Sequence, residues 1–395
     1  MLNGLIYGDL RKYLFMYVIL CISMMPLIAG GYSMYLLILL FPYVFKNRFN
    51  TGSLLVILFS MFYTFSFLIR GAELITSQFV FYLIFPIIIY SCGNLLGTKL
   101  YSGKTILMII VSLVFCLAAP GIYFSMVDVV KSGELIKISR EIEFASGHTL
   151  SATGYGVMFS LAIAGVAMIL VPTISKYDKK IMFFMFCLSL MAIFCTIHIL
   201  NRTGLALAVI AVLATVFIPP YNRKRILYTL LIGTMILLIF YLYLSDSLLM
   251  NDAMHGYLSR EENGDFSAMT GGGRFSRWTD AVSQIIERPI GGKGYVTAYK
   301  IKYAHNLWLD AGLIGGVVPF ILLIVIAFQT LKYTIAIHRK KILDSFESCY
   351  LIVLCVVMLA QAMTEPVIQG VYQFFLFMIF FYGYVTALKS RKRFG

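Results

Sequence analysis

The chain has 395 residues, of which 60% are hydrophobic and only 13% charged, against roughly 25% charged residues in soluble domains. Apolar runs long enough to cross a hydrocarbon core recur along it, which excludes a soluble globular enzyme and identifies an integral membrane protein. The formal charge of +14 comes with no basic soluble domain and no groove-reading motif, which excludes nucleic acid as a partner.

Charged or glycine-rich breaks divide the apolar runs into about twelve spans, near 10–29, 31–45, 53–69, 76–96, 105–125, 149–172, 181–199, 203–219, 226–245, 306–330, 348–364 and 368–388. The runs are continuously apolar and do not alternate every second residue, so helices are expected and a barrel is not. The predicted fold is an all-α polytopic bundle of about twelve spans in three parts: 1–245, a large loop 246–305, and 306–395. Asp9, Arg11 and Lys12 precede the first span and no small-residue cleavage site follows it, the pattern of an uncleaved first helix. Lys and Arg gather at alternate breaks: Arg11/Lys12, Lys46/Arg48, Lys99/Lys104, Lys176/Lys179/Lys180, Arg223/Lys224/Arg225, Lys332/Arg339/Lys340/Lys341 and Lys389/Arg391/Lys392/Arg393. That face is expected to be cytoplasmic, with both termini inside. The seven cysteines form no CxxC pair, so neither a disulfide nor a zinc framework is expected.

The opposite face carries the long loops 126–148 and 246–305, and long loops between packed elements tend to be functional. The first contains Arg140, in SREIEFASGHTLSATG, followed by Glu141 and Glu143. Two carboxylates do not make a metal site, and no metal is expected. Arg202, in HILNRTG, interrupts two spans at a tight hairpin, where an arginine either snorkels to the headgroups or faces a polar site.

In the large loop, TGGGRFSRWTDAVSQIIERPIGGKG spaces Phe275, Trp278, Ala281, Val282, Ile285 and Ile286 with helical periodicity. The pattern predicts an amphipathic helix at the membrane boundary; a surface helix that merely packs on the bundle is the alternative. Gly271, Gly272 and Gly273 precede it, and Arg274 and Arg277 follow three apart. Backbone N–H groups at a helix start and two arginines on one face form an anion cradle. The GxxxxGK[ST] spacing is absent, so the expected anion is a phosphate or diphosphate on a lipid carrier.

KYAHNLWLDAGLIGG then places His305 and Asn306 ahead of an apolar run. Histidine titrates near neutrality and suits the removal of a proton from a sugar hydroxyl; a helix-end histidine facing water is the alternative. Asp310, five residues on, lies about 140° around an ideal helix and makes a poor orienting partner unless the first turn is irregular. Glu365, at the end of the eleventh span, is the other candidate. The spans hold few ionisable groups and no repeat with discontinuous helices, which disfavours a lipid-linked sugar flippase.

The order NRTG, then GGGRFSRWTDAVSQIIERPIGGKG, then AHNLWLDAGLIGG resembles the O-antigen ligase and Wzy-type polymerase superfamily of bacterial polysaccharide assembly, over about residues 195 to 320. The resemblance implies a GT-C-like, metal-independent glycosyltransferase without a cofactor, working at the periplasmic face of the inner membrane. Its donor would be an undecaprenyl-diphosphate-linked oligosaccharide. The family's diphosphate-holding arginines match Arg202 and Arg274, and its essential histidine matches His305 as base for the acceptor hydroxyl. Arg277 stands where members differ; Arg140, Asn306 and Glu365 are secondary candidates. Membrane lipids are partners, and the resemblance also admits a chain-length regulator protein. Single displacement would invert the anomeric centre. Polymerase is preferred over ligase because no basic surface marks a site for a phosphorylated lipid A core.

Overall fold

The structure, a computed structural model of the chain, describes residues 13–26, 28–68, 79–100, 102–137, 139, 141–143, 149–171, 176–218, 227, 231, 234, 274–291, 304–368 and 370–391. In chain order these form α1 (Leu14–Ser23), α2 (Thr51–Leu68), α3 (Phe85–Lys99), α4 (Gly103–Ser132), β1 (Glu141–Glu143), β2 (Thr149–Ser151), α5 (Ala152–Ile163), α6 (Lys176–His198), α7 (Arg202–Val216), α8 (Arg274–Glu287), α9 (Leu307–Gly315), α10 (Val317–Arg339), α11 (Ser345–Ala362) and α12 (Tyr372–Lys389). Among the described residues seven helical stretches are long and apolar enough to cross a membrane, and four shorter apolar helices accompany them. The protein is an all-α polytopic membrane protein, as its apolar periodicity predicts. One antiparallel pair departs from that class: β1, inside the 126–148 loop, and β2, just after it, match Ile142 with Leu150.

Several predicted spans differ in detail. The 31–45 run is a 3-10 helix, Ile28–Leu40, followed by the short α-helical turn Pro42–Phe45. The 149–172 run begins as strand β2 and ends in a 3-10 stretch, Ala164–Leu170. The 306–330 run is two helices, because Gly316 takes a left-handed backbone (φ 84°) and ends α9 before α10 begins. A side chain there would meet Gly291 and the Pro289 carbonyl, which accepts from Val317 N at 2.9 Å. Both the conformation and the close approach therefore require glycine. The spanning segment is consequently 317–339, displaced from the run predicted. The 226–245 span lies almost wholly outside the described residues, as does most of the 246–305 loop before Arg274.

A continuous apolar core runs through the bundle. Its tightest seam joins α3 to α12. A Cβ at Gly93 would collide with the Phe380 carbonyl and one at Gly383 with the Tyr90 carbonyl, so the two backbones touch as small residues allow in membrane helices. Asn94 Nδ2 donates to Gly383 O across this seam at 3.3 Å. At one end of the bundle α9 rests on α2, and α8 lies across α9. Ala281 and Ile285 of α8 form a small separate core with Ala304, Leu309 and Leu313. Phe275, Val282 and Ile286 of α8 remain exposed. The helix thus has an apolar face against the protein and a second apolar edge away from it, the pattern of an interfacial helix.

Candidate active site

His305 stands immediately before α9 with a left-handed backbone, φ 53°. For a residue with a Cβ this conformation costs about 1–2 kcal/mol, so something must hold it. Asp310 does so from the first turn of α9. Its Oδ1 accepts from Ala304 N at 2.7 Å and its Oδ2 from Asn306 N at 3.1 Å, the two peptide N–H groups flanking His305. Asp310 is buried. Hydrogen bonds to a charged group are each worth about 1.5–3 kcal/mol, enough to offset the strain. The predicted weakness of Asp310 as a partner rested on an ideal helix that included residue 305. That residue lies outside the helix, and Asp310 reaches it through the backbone.

Asn306 is the N-cap of α9: its Oδ1 accepts from Trp308 N and Leu309 N at 3.1 and 3.2 Å, satisfying two of the N–H groups a helix start leaves open. Its Nδ2 reaches Met363 O at 3.4 Å, which ties the turn to the segment after α11. That segment carries Glu365. The carboxylate, only 3% exposed, lies with Oε2 3.4 Å from His305 Nδ1, while the His305 side chain is 27% exposed. Accepting a proton-bearing Nδ1 there places the lone pair of the neutral ring on Nε2. The distance is long for a closed hydrogen bond. The third tie comes from α8. Trp278, half-buried, donates its indole N–H to Ala304 O at 3.0 Å. Ala304, the residue before His305, is thus held by Asp310 on its N–H and by Trp278 on its carbonyl oxygen.

Arg277, partly buried, lies on α8 one residue before Trp278, and Arg274 opens that helix; the side chain of Arg274 and the three glycines before it lie outside the described residues, as does Arg140. Arg202 is the first residue of α7. Asn201 caps that helix through Gly204 N at 3.1 Å and donates to Ala152 O at 2.7 Å, seated against Gly156, where a Cβ would take the place of its amide. The fully buried His198 anchors the same hairpin. Its Nδ1 faces Leu135 O at 3.1 Å and its Nε2 faces Asp128 Oδ2 at 3.2 Å, while Lys137 pairs with Asp128 Oδ1 at 3.2 Å. α7 packs against α11, whose C-terminal end leads to Glu365.

The structure therefore brings His305, Asn306 and Glu365 together and joins them to the helix of Arg274 and Arg277. Glu141 and Glu143 sit exposed on β1, and among the described residues no three His, Cys, Asp or Glu side chains converge as metal ligands would. Sequence reasoning weighs Asp310 only as a side-chain partner and misses its bonds to the backbone, and it misses the indole N–H of Trp278 and the Asp128–Lys137–His198 network. The first two had legible signals. An acidic residue in the first turn after an Asn can bond the N-cap amide, one position later than in a capping box. A half-buried indole N–H needs an acceptor.

Comparison with known proteins finds one family: residues 186–324 match the family described as O-antigen ligase. No curated protein matches the chain. The matched segment contains Arg202, α8, His305 and α9, and it supports placement in the O-antigen ligase and polymerase superfamily, with a glycosyl-transfer type of activity in lipopolysaccharide assembly.

Proposed function

We propose that this protein is a polymerase of bacterial surface polysaccharide. It transfers a growing glycan from undecaprenyl diphosphate to a lipid-linked repeat unit at the periplasmic face of the inner membrane, with both termini in the cytoplasm. The observation that carries the reading is the paired, half-accessible His305 with Glu365 on its Nδ1, set in one cluster with the amphipathic helix of the loop arginines. In the reaction the acceptor hydroxyl attacks the anomeric carbon and gives its proton to Nε2 of His305. The bond from that carbon to the diphosphate oxygen breaks, and the configuration inverts. Glu365 keeps the ring in the productive tautomer and stabilises the imidazolium that forms, as a carboxylate does for a histidine base elsewhere. Arg202, Arg274 and Arg277, with the N–H groups at the start of α8, take up the charge that develops on the departing diphosphate.

The family description keeps transfer of the finished chain to lipid A core, the ligase reaction, as the second reading. A gel of surface glycan and of lipid-linked glycan from a deletion strain separates the two. A single repeat unit on the core with the ladder lost is the polymerase result; a core without any repeat, alongside polymer still on undecaprenyl diphosphate, is the ligase result. A ladder unchanged by the deletion overturns both.

A further inference from the structure

His305 differs from an ordinary helix-start residue in what holds it. Were its backbone right-handed, the chain before Asn306 would run in a different direction. Ala304 would then leave the small core it shares with Ala281, Ile285, Leu309 and Leu313. Three contacts oppose this: Asp310 on the N–H groups of residues 304 and 306, and Trp278 on the carbonyl of residue 304. Both groups are built into the bundle, Asp310 fully buried and Trp278 in ring contact with Phe275.

We infer that Asp310 is the positioning residue of the site, and that Trp278 makes the position of His305 depend on the seating of the arginine-bearing helix α8. Asp310 sets the left-handed turn that aims the imidazole at Glu365. Trp278 holds Ala304, the residue before His305, by the carbonyl, so that the groups assigned to the diphosphate and the group assigned to the acceptor hydroxyl keep a fixed relation. This rests on the reading of His305 as the base.

The test uses the purified full-length protein with lipid-linked glycan extracted from the deletion strain as both donor and acceptor, and reads kcat, KM and the thermal midpoint together. Asp310→Asn leaves one acceptor where two N–H groups need one each. It is expected to lower the thermal midpoint, because a buried N–H loses its acceptor, and to lower kcat per folded molecule by about tenfold to a hundredfold with KM within about threefold, the signature of a displaced catalytic group. Trp278→Phe keeps an aromatic side chain and removes the indole N–H with its five-membered ring; a kcat loss of roughly threefold to tenfold is expected. An unchanged kcat per folded molecule in Asp310→Asn overturns the inference. If that variant does not accumulate folded, Trp278→Phe decides on the same criterion. His305→Ala run in parallel separates the two levels: an active His305→Ala removes the base reading itself, whereas an inactive one beside a fully active Asp310→Asn removes only the inference.

Discussion

Two helix starts lie in this molecule with nearly the same backbone, one at Leu200–Gly204 and one at His305–Leu309. Each has a residue at φ 53° followed by an extended Asn whose Oδ1 caps the next helix. In each, the Asn Nδ2 crosses to a carbonyl on a neighbouring element, Ala152 in one and Met363 in the other. They differ in what supports the left-handed residue. At Leu200 the preceding helix does it, with Leu200 N on Ile197 O at 3.0 Å and Asn201 N on Thr196 O at 2.9 Å, the hydrogen-bond pair of a Schellman turn. At His305 the Asp310 carboxylate accepts the flanking amides that helix carbonyls would otherwise bind. A turn held by a helix end can carry a buried leucine and serve packing. A turn held by one carboxylate leaves its central side chain at a partly open edge, facing Glu365.

The largest effect that would sharpen this contrast is His305→Ala, expected to lower transfer by about a hundredfold to ten-thousandfold with the protein still present in the membrane by immunoblot. Leu200→Met should leave the ladder intact; equal losses in both would erase the distinction. Next come the arginines: Arg274→Lys or Arg202→Lys should reduce transfer by roughly tenfold or more, because an ammonium does not reproduce the guanidinium fork on a diphosphate. Initial rates at several donor concentrations check this, and unchanged donor use would make these arginines structural. Glu365→Gln should lower kcat by about tenfold or more by loosening the imidazole and its tautomer. The smallest and most discriminating pair is Asn201→Ala against Asn306→Ala. Each removes a cap worth about 1 kcal/mol, so both should lower the thermal midpoint, and only the second should also lower kcat per folded molecule.

Much of this was legible in the residues. The lengths of the apolar runs foretold most helices, and the spacing from Phe275 to Ile286 foretold α8 to within its first turn. His305, Asn306 and Glu365 were each singled out by residue type and place. The failures share a cause. The span 306–330 was read as one helix because apolar content continues through Gly315 and Gly316, while the break depends on the Pro289–Gly291 turn pressing against Gly316. Asp310 was judged by an ideal helical wheel that a left-handed residue does not obey. The His198–Asp128 pair joins residues 70 apart in sequence, and no local pattern encodes such a pair.

By itself the sequence determined what each segment must do with water and lipid. Apolar length makes a span, helical periodicity makes an interfacial helix, and basic clusters at alternate breaks set the expected sidedness, since these are free energies of transfer that each segment carries with it. The tertiary structure alone decided that Glu365 meets His305 across 60 residues, that Asp310 and Trp278 hold Ala304 between them, and that α9 stops short of the membrane-spanning helix. Those outcomes turn on hydrogen-bond geometry at distances near 3 Å, which arises only when separate helices have packed and each buried polar group has to find its partner.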